Sequence, residues 1–161
     1  MEVQIGLQCQ RPFQLIFIVL KFLNADTGFV IGQSGTILKT LDGSNTWTSI
    51  SSGMSGYLYN VNFKDSLTGY IAGDPGILLK TIDGGNSWSI LSYNNLPSMN
   101  SVAAVNNIVS YSAGYNVTII KTVNGGLTWM NENSTSSARL LSICFPSLNV
   151  GYAIRATQEQ Y

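Results

Sequence analysis

The sequence predicts an all-β fold, a β-propeller of four-stranded antiparallel blades of about 41 residues, with about three and a half blades present. Three observations carry that reading. The octapeptides Thr40–Trp47 (TLDGSNTW), Thr81–Trp88 (TIDGGNSW) and Thr122–Trp129 (TVNGGLTW) align without a gap. Their tryptophans, Trp47, Trp88 and Trp129, recur every 41 residues. Tyr57, Tyr59, Val61 and Phe63 alternate with period two, the mark of a half-buried strand, and no stretch has helical spacing. A repeat of this size matches one propeller blade, which buries its faces only against neighbouring blades.

The second repeat shows how each unit divides. Tyr57 to Phe63 is its first strand, and the cluster Asp65-Ser66-Leu67-Thr68-Gly69 turns the chain. Gly69 to Gly73 (GYIAG) is the second strand. Asp74-Pro75-Gly76 follows as a turn, with proline fixing φ and glycine free to take positive φ. Ile77 to Thr81 (ILLKT) is the third strand, Asp83-Gly84-Gly85-Asn86 the hairpin, and Ser87 to Leu91 (SWSIL) the fourth.

The register extends beyond the tryptophans. Lys39, Lys80 and Lys121 share one position, and Gly32, Gly73 and Gly114 another. Phe29, Tyr70, Tyr111 and Tyr152 share a third, the last opening a fourth repeat. Phe22, Phe63 and Phe145 coincide, with Ala104 in the remaining place. The expected blades are residues 15–52, 53–94, 95–136 and 137–161.

Phe13 to Leu23 (FQLIFIVLKFL) has two readings, the core of a signal peptide or a strand. Leu20-x-Phe22 aligns with Val61-x-Phe63 and Ile143-x-Phe145, which favours an inner strand from about Leu20 onward. The run is too short and too interrupted to span a membrane as a helix. Residues 1–14 lie outside the pattern and form an N-terminal segment whose structure the repeat does not define.

The octapeptide follows S/T-x-D-x-G-x-x-W, the Asp-box. Thr81, Asp83, Gly85 and Trp88 match it in full. Thr40, Asp42 and Trp47 match with Ser44 in the glycine place. Thr122, Asn124, Gly126 and Trp129 match with asparagine for aspartate. An Asp opening a hairpin accepts backbone N–H bonds of the turn, and Asn imitates it more weakly. Glycine supplies left-handed φ. The Trp, on the returning strand, packs against the turn and the next sheet. These residues are expected to be structural, and the sequence offers no catalytic, cofactor-binding or metal-ligating set.

The longer unit is more specific. Thr68-Gly69-Tyr70-Ile71-Ala72-Gly73 runs through Gly76-Ile77-Leu78-Leu79-Lys80-Thr81 into the box. Thr27-Gly28-Phe29-Val30-Ile31-Gly32 and Gly35-Thr36-Ile37-Leu38-Lys39-Thr40 repeat it. From about Leu20 to Ala153 this resembles the repeat of the photosystem II assembly and stability factor family and its bacterial relatives. The resemblance implies an exported or lumenal propeller acting as an assembly or binding factor. The expected function is a non-enzymatic scaffold for protein–protein binding, without cofactor. The expected location is secreted, periplasmic or cell-surface, or lumenal in a photosynthetic organism.

The alternative is a carbohydrate-active protein, either a glycan-binding propeller or part of a sialidase-like hydrolase, since sialidases share the Asp-box. Sialidase catalysis resembles an arginine clamp on a carboxylate with a Tyr–Glu nucleophile pair. Here the arginines are Arg11, Arg139 and Arg155, at the fringes of the repeats, and nothing arranges them as a clamp. The chain has no histidine, which removes His-based triads and the commonest metal ligand. Of the acidic residues Glu2, Asp26, Asp42, Asp65, Asp74, Asp83, Glu132 and Glu159, five fall in boxes or turns, and no spacing selects a facing pair. Eight basic and eight acidic residues cancel, which argues against a nucleic-acid partner. Cys9 and Cys144 are expected to be buried or incidental thiols, with a single bridge between the chain ends as the alternative.

Two further sets of residues invite binding roles. Lys39, Lys80 and Lys121 form either a positive ring for an acidic partner or solvated strand residues with covering stems; the second is favoured. Tyr57, Tyr59, Tyr93, Tyr111 and Tyr115 form either a peptide or glycan surface or repeat packing. The sequons at Asn116 and Asn133 carry no weight in a bacterial chain.

The fourth repeat keeps Arg139 to Phe145 and Gly151 to Ile154 but lacks its third and fourth strands, and Arg155 to Tyr161 departs from the pattern. Three readings follow in order of preference. The chain is a piece of a longer propeller; it self-associates to complete the ring; or Glu2 to Gln8 closes a small ring.

Overall fold

A computed structural model describes residues 17–91, 96–132 and 138–156. The first sheet holds β1 (Phe17–Phe22), β2 (Gly28–Gly32), β3 (Ile37–Thr40) and β4 (Thr48–Ile50) in sequential order. The second holds β5 (Tyr57–Phe63), β6 (Gly69–Asp74), β7 (Ile77–Thr81) and β8 (Ser89–Ile90). The third holds β9 (Met99–Ala104), β10 (Ser110–Gly114), β11 (Ile119–Thr122) and β12 (Met130–Glu132). A fourth sheet has two strands, β13 (Leu140–Ser147) and β14 (Val150–Arg155). All pairings are antiparallel. This is an all-β propeller of three whole blades and an inner half-blade. Apart from a short 3₁₀ turn at Gln33–Gly35, no helix occurs among the described residues. None there is long and apolar enough to cross a membrane.

Local chemistry sets the strand connections. In the three whole blades the turn after the first strand is nucleated by an Asx side chain. Asn24 accepts from Asp26 and Thr27 N–H, Asp65 from Leu67 and Thr68, and Asn106 from Ile108 and Val109. These bonds replace the strand ladder where the chain reverses. Beside the turn, Phe22 faces Gly28 and Phe63 faces Gly69 across the strands. A Cβ on either glycine would lie 2.7–2.8 Å from the ring, so the phenyl group occupies the space glycine leaves. Phe145 covers Gly151 in the same way. In the third blade Ala104 faces Ser110, so the small and large partners changed together.

Every first strand carries a bulge at one repeat position. The register shifts between Phe17 and Val19, Leu58 and Asn60, Met99 and Ser101, and Leu140 and Ser142. A bulge bends the strand and re-aims the extra side chain. At Tyr59 and Asn100 that effect builds the surface described below.

The core lies between blades rather than within them. Phe29, Ile31 and Ile37 of the first blade pack on Leu58, Val61, Ile71, Ile77 and Leu79 of the second. Tyr70, Ala72 and Leu78 meet Met99, Val102, Ile120 and Trp129. Ala103, Ala113 and Tyr111 meet Leu140, Ile143 and Phe145. The second strands are buried on both faces, which explains their unbroken apolar runs. Each fully buried Leu, Ile or Phe contributes about 1.5–3 kcal/mol relative to exposure.

Nearer the axis the junctions are polar. Asn60 and Asn62 accept from the N–H groups of Val102 and Ala104, at 3.1 and 3.0 Å. The Ser101 hydroxyl accepts from Ile143 N–H at 3.2 Å. Blade-to-blade order is thus fixed by directional bonds as well as by apolar area.

Residues 1–16, 92–95, 133–137 and 157–161 lie outside the described set. They include the closing strand expected at Glu2 to Gln8, the signal-peptide reading of Phe13 onward, Cys9, Arg11, Tyr93, the Asn133 sequon and Glu159. Cys144 is exposed with a free thiol, which is the incidental rather than the buried form of the expected thiol.

Candidate functional site

The octapeptides form three near-identical turns. In the second, the Thr81 hydroxyl donates to Asp83 Oδ1 at 2.7 Å and accepts from Gly85 N–H at 2.8 Å. Asp83 Oδ1 also accepts from the N–H groups of Asn86 and Ser87, both at 3.0 Å, and Oδ2 takes the Ser87 hydroxyl at 2.6 Å. In the first, Asp42 takes the Thr40 hydroxyl at 2.8 Å, Thr46 N–H at 2.9 Å and the Thr46 hydroxyl at 2.6 Å. In the third, Asn124 Oδ1 accepts from Thr122 and from Thr128 N–H, while its amide donates to the Thr128 hydroxyl at 2.7 Å. Asparagine keeps the pattern by reversing one donor and gives up the charge. Gly85 and Gly126 take φ of +76° and +92°, and Ser44 is held at +81° in the same place. The hydroxyl at Thr46, Ser87 and Thr128, a partner the sequence reading omitted, was legible as an invariant Ser or Thr before each Trp.

These bonds hold the carboxyls in their ionised form. Hydrogen bonds from Thr46 and Thr40 bring Asp42 to about 2, and those from Ser87 and Thr81 take Asp83 well below the usual carboxylate range. Backbone bonds from Thr68 and Leu67, aided by Lys64, bring Asp65 to about 2. A carboxyl depressed on folding stabilises the fold above its unfolded value, near pH 4, and loses that contribution as pH falls through the folded value. Stability is therefore expected to be level from neutrality to about pH 4 and to fall between about pH 4 and 2. Denaturant midpoints along that range check it. Asp83→Asn should flatten the fall, and an unchanged slope in that variant would contradict the assignment.

The lysines correct the expectation of solvated strand residues. Lys39 is 7% exposed. Its ammonium donates to the Gly84 carbonyl and to Asn86 Oδ1, both at 2.8 Å, and lies 5.7 Å over the Phe29 ring. Burial holds it below its ordinary pKa, with the Asp83 carboxylate opposing. Lys80 donates to the Gly125 carbonyl at 2.6 Å over the Tyr70 ring. Each lysine therefore latches its blade to the box turn of the next. Lys121 sits over Tyr111 and pairs with Glu132 at 3.8 Å, within its own blade.

The tryptophans read the neighbouring blade as well. Trp88 meets Phe29 edge-on at 6.4 Å and Phe63 at 5.9 Å, and Trp129 meets Tyr70 at 6.5 Å. Trp47 meets Phe22 of its own blade at 6.3 Å.

A different surface gathers at the start of the first strands and the end of the second strands. Tyr57 and Tyr59 stack with ring centres 6.1 Å apart. Tyr57 is paired with Asp74 across the strands, and the Asp74 carboxylate accepts the Ser98 hydroxyl of the next blade. Arg139 lies 4.0 Å over the Tyr115 ring and donates to Asn100 Oδ1 at 3.2 Å. The Asn100 amide in turn donates to Leu140 O at 2.6 Å. The Tyr59 phenol is raised first by burial, then by the Asp74 carboxylate and the Tyr115 phenol, with Arg139 opposing.

Three repeat positions build this surface: Tyr57, Ser98 and Arg139 are equivalent, as are Tyr59 and Asn100, and Asp74 and Tyr115. The frame positions agree between blades, whereas these differ in chemistry, and that contrast was the available signal. Of the tyrosines singled out in the sequence, the structure brings together Tyr57, Tyr59 and Tyr115. Tyr111 instead stacks on Phe145 in a blade junction, 4.2 Å between centres. A cation, a carboxylate and three aromatic rings on one exposed edge suit recognition of an extended polar chain. Among the described residues, no group of three His, Cys, Asp or Glu is placed to hold a metal.

The sequence profile of the family described as Photosynthesis system II assembly factor YCF48 matches residues 5–129. Two solved structures are similar. A YCF48 bound to D1 peptide is 26% identical with a TM-score of 0.67, over 79% of this chain and 44% of that one. A YCF48 from Cyanidioschyzon merolae is 24% identical with a TM-score of 0.67, over 83% of this chain and 48% of that one. The second likeness speaks for the fold alone. The chain spans under half the length of both structures. No curated protein matches the sequence.

Proposed function

The chain belongs to the Photosynthesis system II assembly factor YCF48 family, and from that premise we propose a non-enzymatic, protein-binding propeller segment that takes an extended peptide on the Tyr57–Tyr59–Tyr115–Arg139 surface. The observation that carries the reading is the Arg139 guanidinium, stacked on Tyr115 and oriented by Asn100 beside the Tyr57–Tyr59 pair. Arginine held flat on an aromatic ring presents its remaining N–H donors to carboxylate or carbonyl oxygens. The tyrosines supply rigid contact area at low entropic cost. The relative solved with a D1 peptide supports a peptide of that kind as ligand. An exported or lumenal setting and a role in assembling a membrane complex follow as parts of the same proposal.

Titrating a labelled D1 peptide with the protein, read by fluorescence anisotropy, tests the reading. Binding is expected, weakened about tenfold by Arg139→Ala and by Tyr59→Ala. The reading fails if the wild type does not bind, or if both variants bind as tightly as the wild type. Binding to a glycan array without peptide binding would favour the carbohydrate reading instead.

A further inference from the structure

Among the described residues Lys39 is the only charged side chain that is buried. Its ammonium bonds two neutral acceptors, the Gly84 carbonyl and Asn86 Oδ1. An ammonium carries three donors, so one is left over. No carboxylate among the described residues pairs with it. Asp83 acts on it across space, but the Asp83 oxygens are taken up by Thr81, Asn86 and Ser87. A buried cation without a counter-charge is costly. The latch between blades does not require that cost. Lys80 makes the equivalent bond to the Gly125 carbonyl while only half-buried.

Lys39 also lines a cavity of about 200 Å³ between the outer strands of the first blade and the box turn of the second, together with Leu41, Thr46, Thr48, Ile50 and Asn86. The cavity lies at the box end of the strands, opposite the end that carries the Tyr57–Arg139 surface. Its walls are of two kinds. On the polar side, Lys39 keeps its third donor, Asn86 keeps one amide hydrogen after its bond to the Asp83 carbonyl, and Thr48 adds a hydroxyl. Thr46 gives its hydroxyl and its N–H to Asp42, which holds that carboxylate in its own turn. Leu41 and Ile50 form the apolar side. The second junction does not repeat this arrangement. Leu127 stands there in the place of Asn86. Leu91, in the place of Ile50, turns onto Gly126, 3.0 Å from where a Cβ would lie. The donor-lined cavity and the buried charge therefore occur together, at one junction.

We propose that this cavity binds a carboxylate on a short aliphatic chain. One carboxylate oxygen takes the third N–H of Lys39, and the other takes the donors of Asn86 and Thr48. Charge-assisted bonds of this kind are the strong ones. The aliphatic chain lies along Leu41 and Ile50, out of water. The cavity is smaller than the roughly 300 Å³ at which drug-sized ligands begin to fit, so it suits a single short chain. A free short-chain acid and a glutamate side chain of a protein partner offer the same group. The site shares no residue with the peptide surface, so the two proposals stand or fall separately.

Sodium butyrate titrated into the isotope-labelled whole chain, followed by amide NMR shifts, tests it. Saturable shifts are expected at Thr48 and Asn86, with a Kd of about 1–10 mM for so small a ligand. Butyramide keeps the shape without the charge and should bind more than about tenfold more weakly. Asn86→Leu copies the second junction, and Thr48→Val removes the hydroxyl at constant shape. Each should weaken butyrate binding by about three- to tenfold with an unchanged β-sheet circular dichroism spectrum. Thr48 is exposed, so its variant carries the test if Asn86→Leu loses that spectrum. N-acetylglutamate N-methylamide is the second probe. Binding as tight as that of butyrate supports the proposal with a partner's side chain as the source, and binding of butyrate alone supports it with a free acid. The absence of saturable shifts with either probe, butyramide binding as tightly as butyrate, or folded variants that bind like the wild type would each overturn the proposal.

Discussion

Trp129→Ala is expected to destabilise the chain by about 3–5 kcal/mol, as for deletion of a buried indole. Trp129 is 5% exposed and packs among Tyr70, Met99, Val102 and Ile120 at the junction of the second and third blades. Its removal leaves a cavity lined by two blades, and neither sheet collapses into it without breaking a ladder. Trp88 and Trp47 are only half-buried, so the losses should fall in the order Trp129, Trp88, Trp47. The indole N–H of each is buried without a protein acceptor, a standing cost. Trp129→Phe keeps much of the volume and removes that donor, so its loss should be only about 1–2 kcal/mol. Urea unfolding followed by circular dichroism gives all four values. Equal losses at Trp47 and Trp129 would show that the indole serves its own turn and not the junction.

The frame of this fold was open to sequence reading because its signals are local and repeated. Period-two alternation marks the strands, and the Asx and glycine turns mark their ends. The constant spacing of the boxes gives the blade. The same locality hid what joins the blades. Lys39 and Lys80 find their acceptors 45 residues onward, one repeat and a hairpin away, and a lysine in a strand reads as solvated without that partner. The bulges were hidden for another reason. Ile18, Tyr59, Asn100 and Leu141 share a backbone position but range from aliphatic to phenol to amide, so alignment of side chains does not reveal the bulge. Arg139, set aside in the sequence as peripheral, is the equivalent of Tyr57 and Ser98, and its register placed it on the surface where the repeats diverge.

Lys39→Ala should cost about 2–3 kcal/mol, the size expected when a charged hydrogen bond is removed and its acceptor stays buried. The change strands the Gly84 carbonyl and frees Asn86, two groups of a turn in the next blade. It also removes the cation from the Phe29 ring and the stem that covers it. Lys39→Met keeps the stem and drops the charge, so it should lie between Ala and wild type and separate packing from latching. Lys121 provides the internal control. It stands at the equivalent position, but its ammonium stays within its own blade, over the Tyr111 ring and 3.8 Å from Glu132, partly exposed, and such pairs contribute little. Lys121→Ala should leave the unfolding midpoint where it is. If Lys39 and Lys121 respond alike, lysine supports its own strand and the blades are joined by apolar area alone. If only Lys39 responds, the third of the aligned lysines differs from the first because no box turn of a following blade reaches it among the described residues.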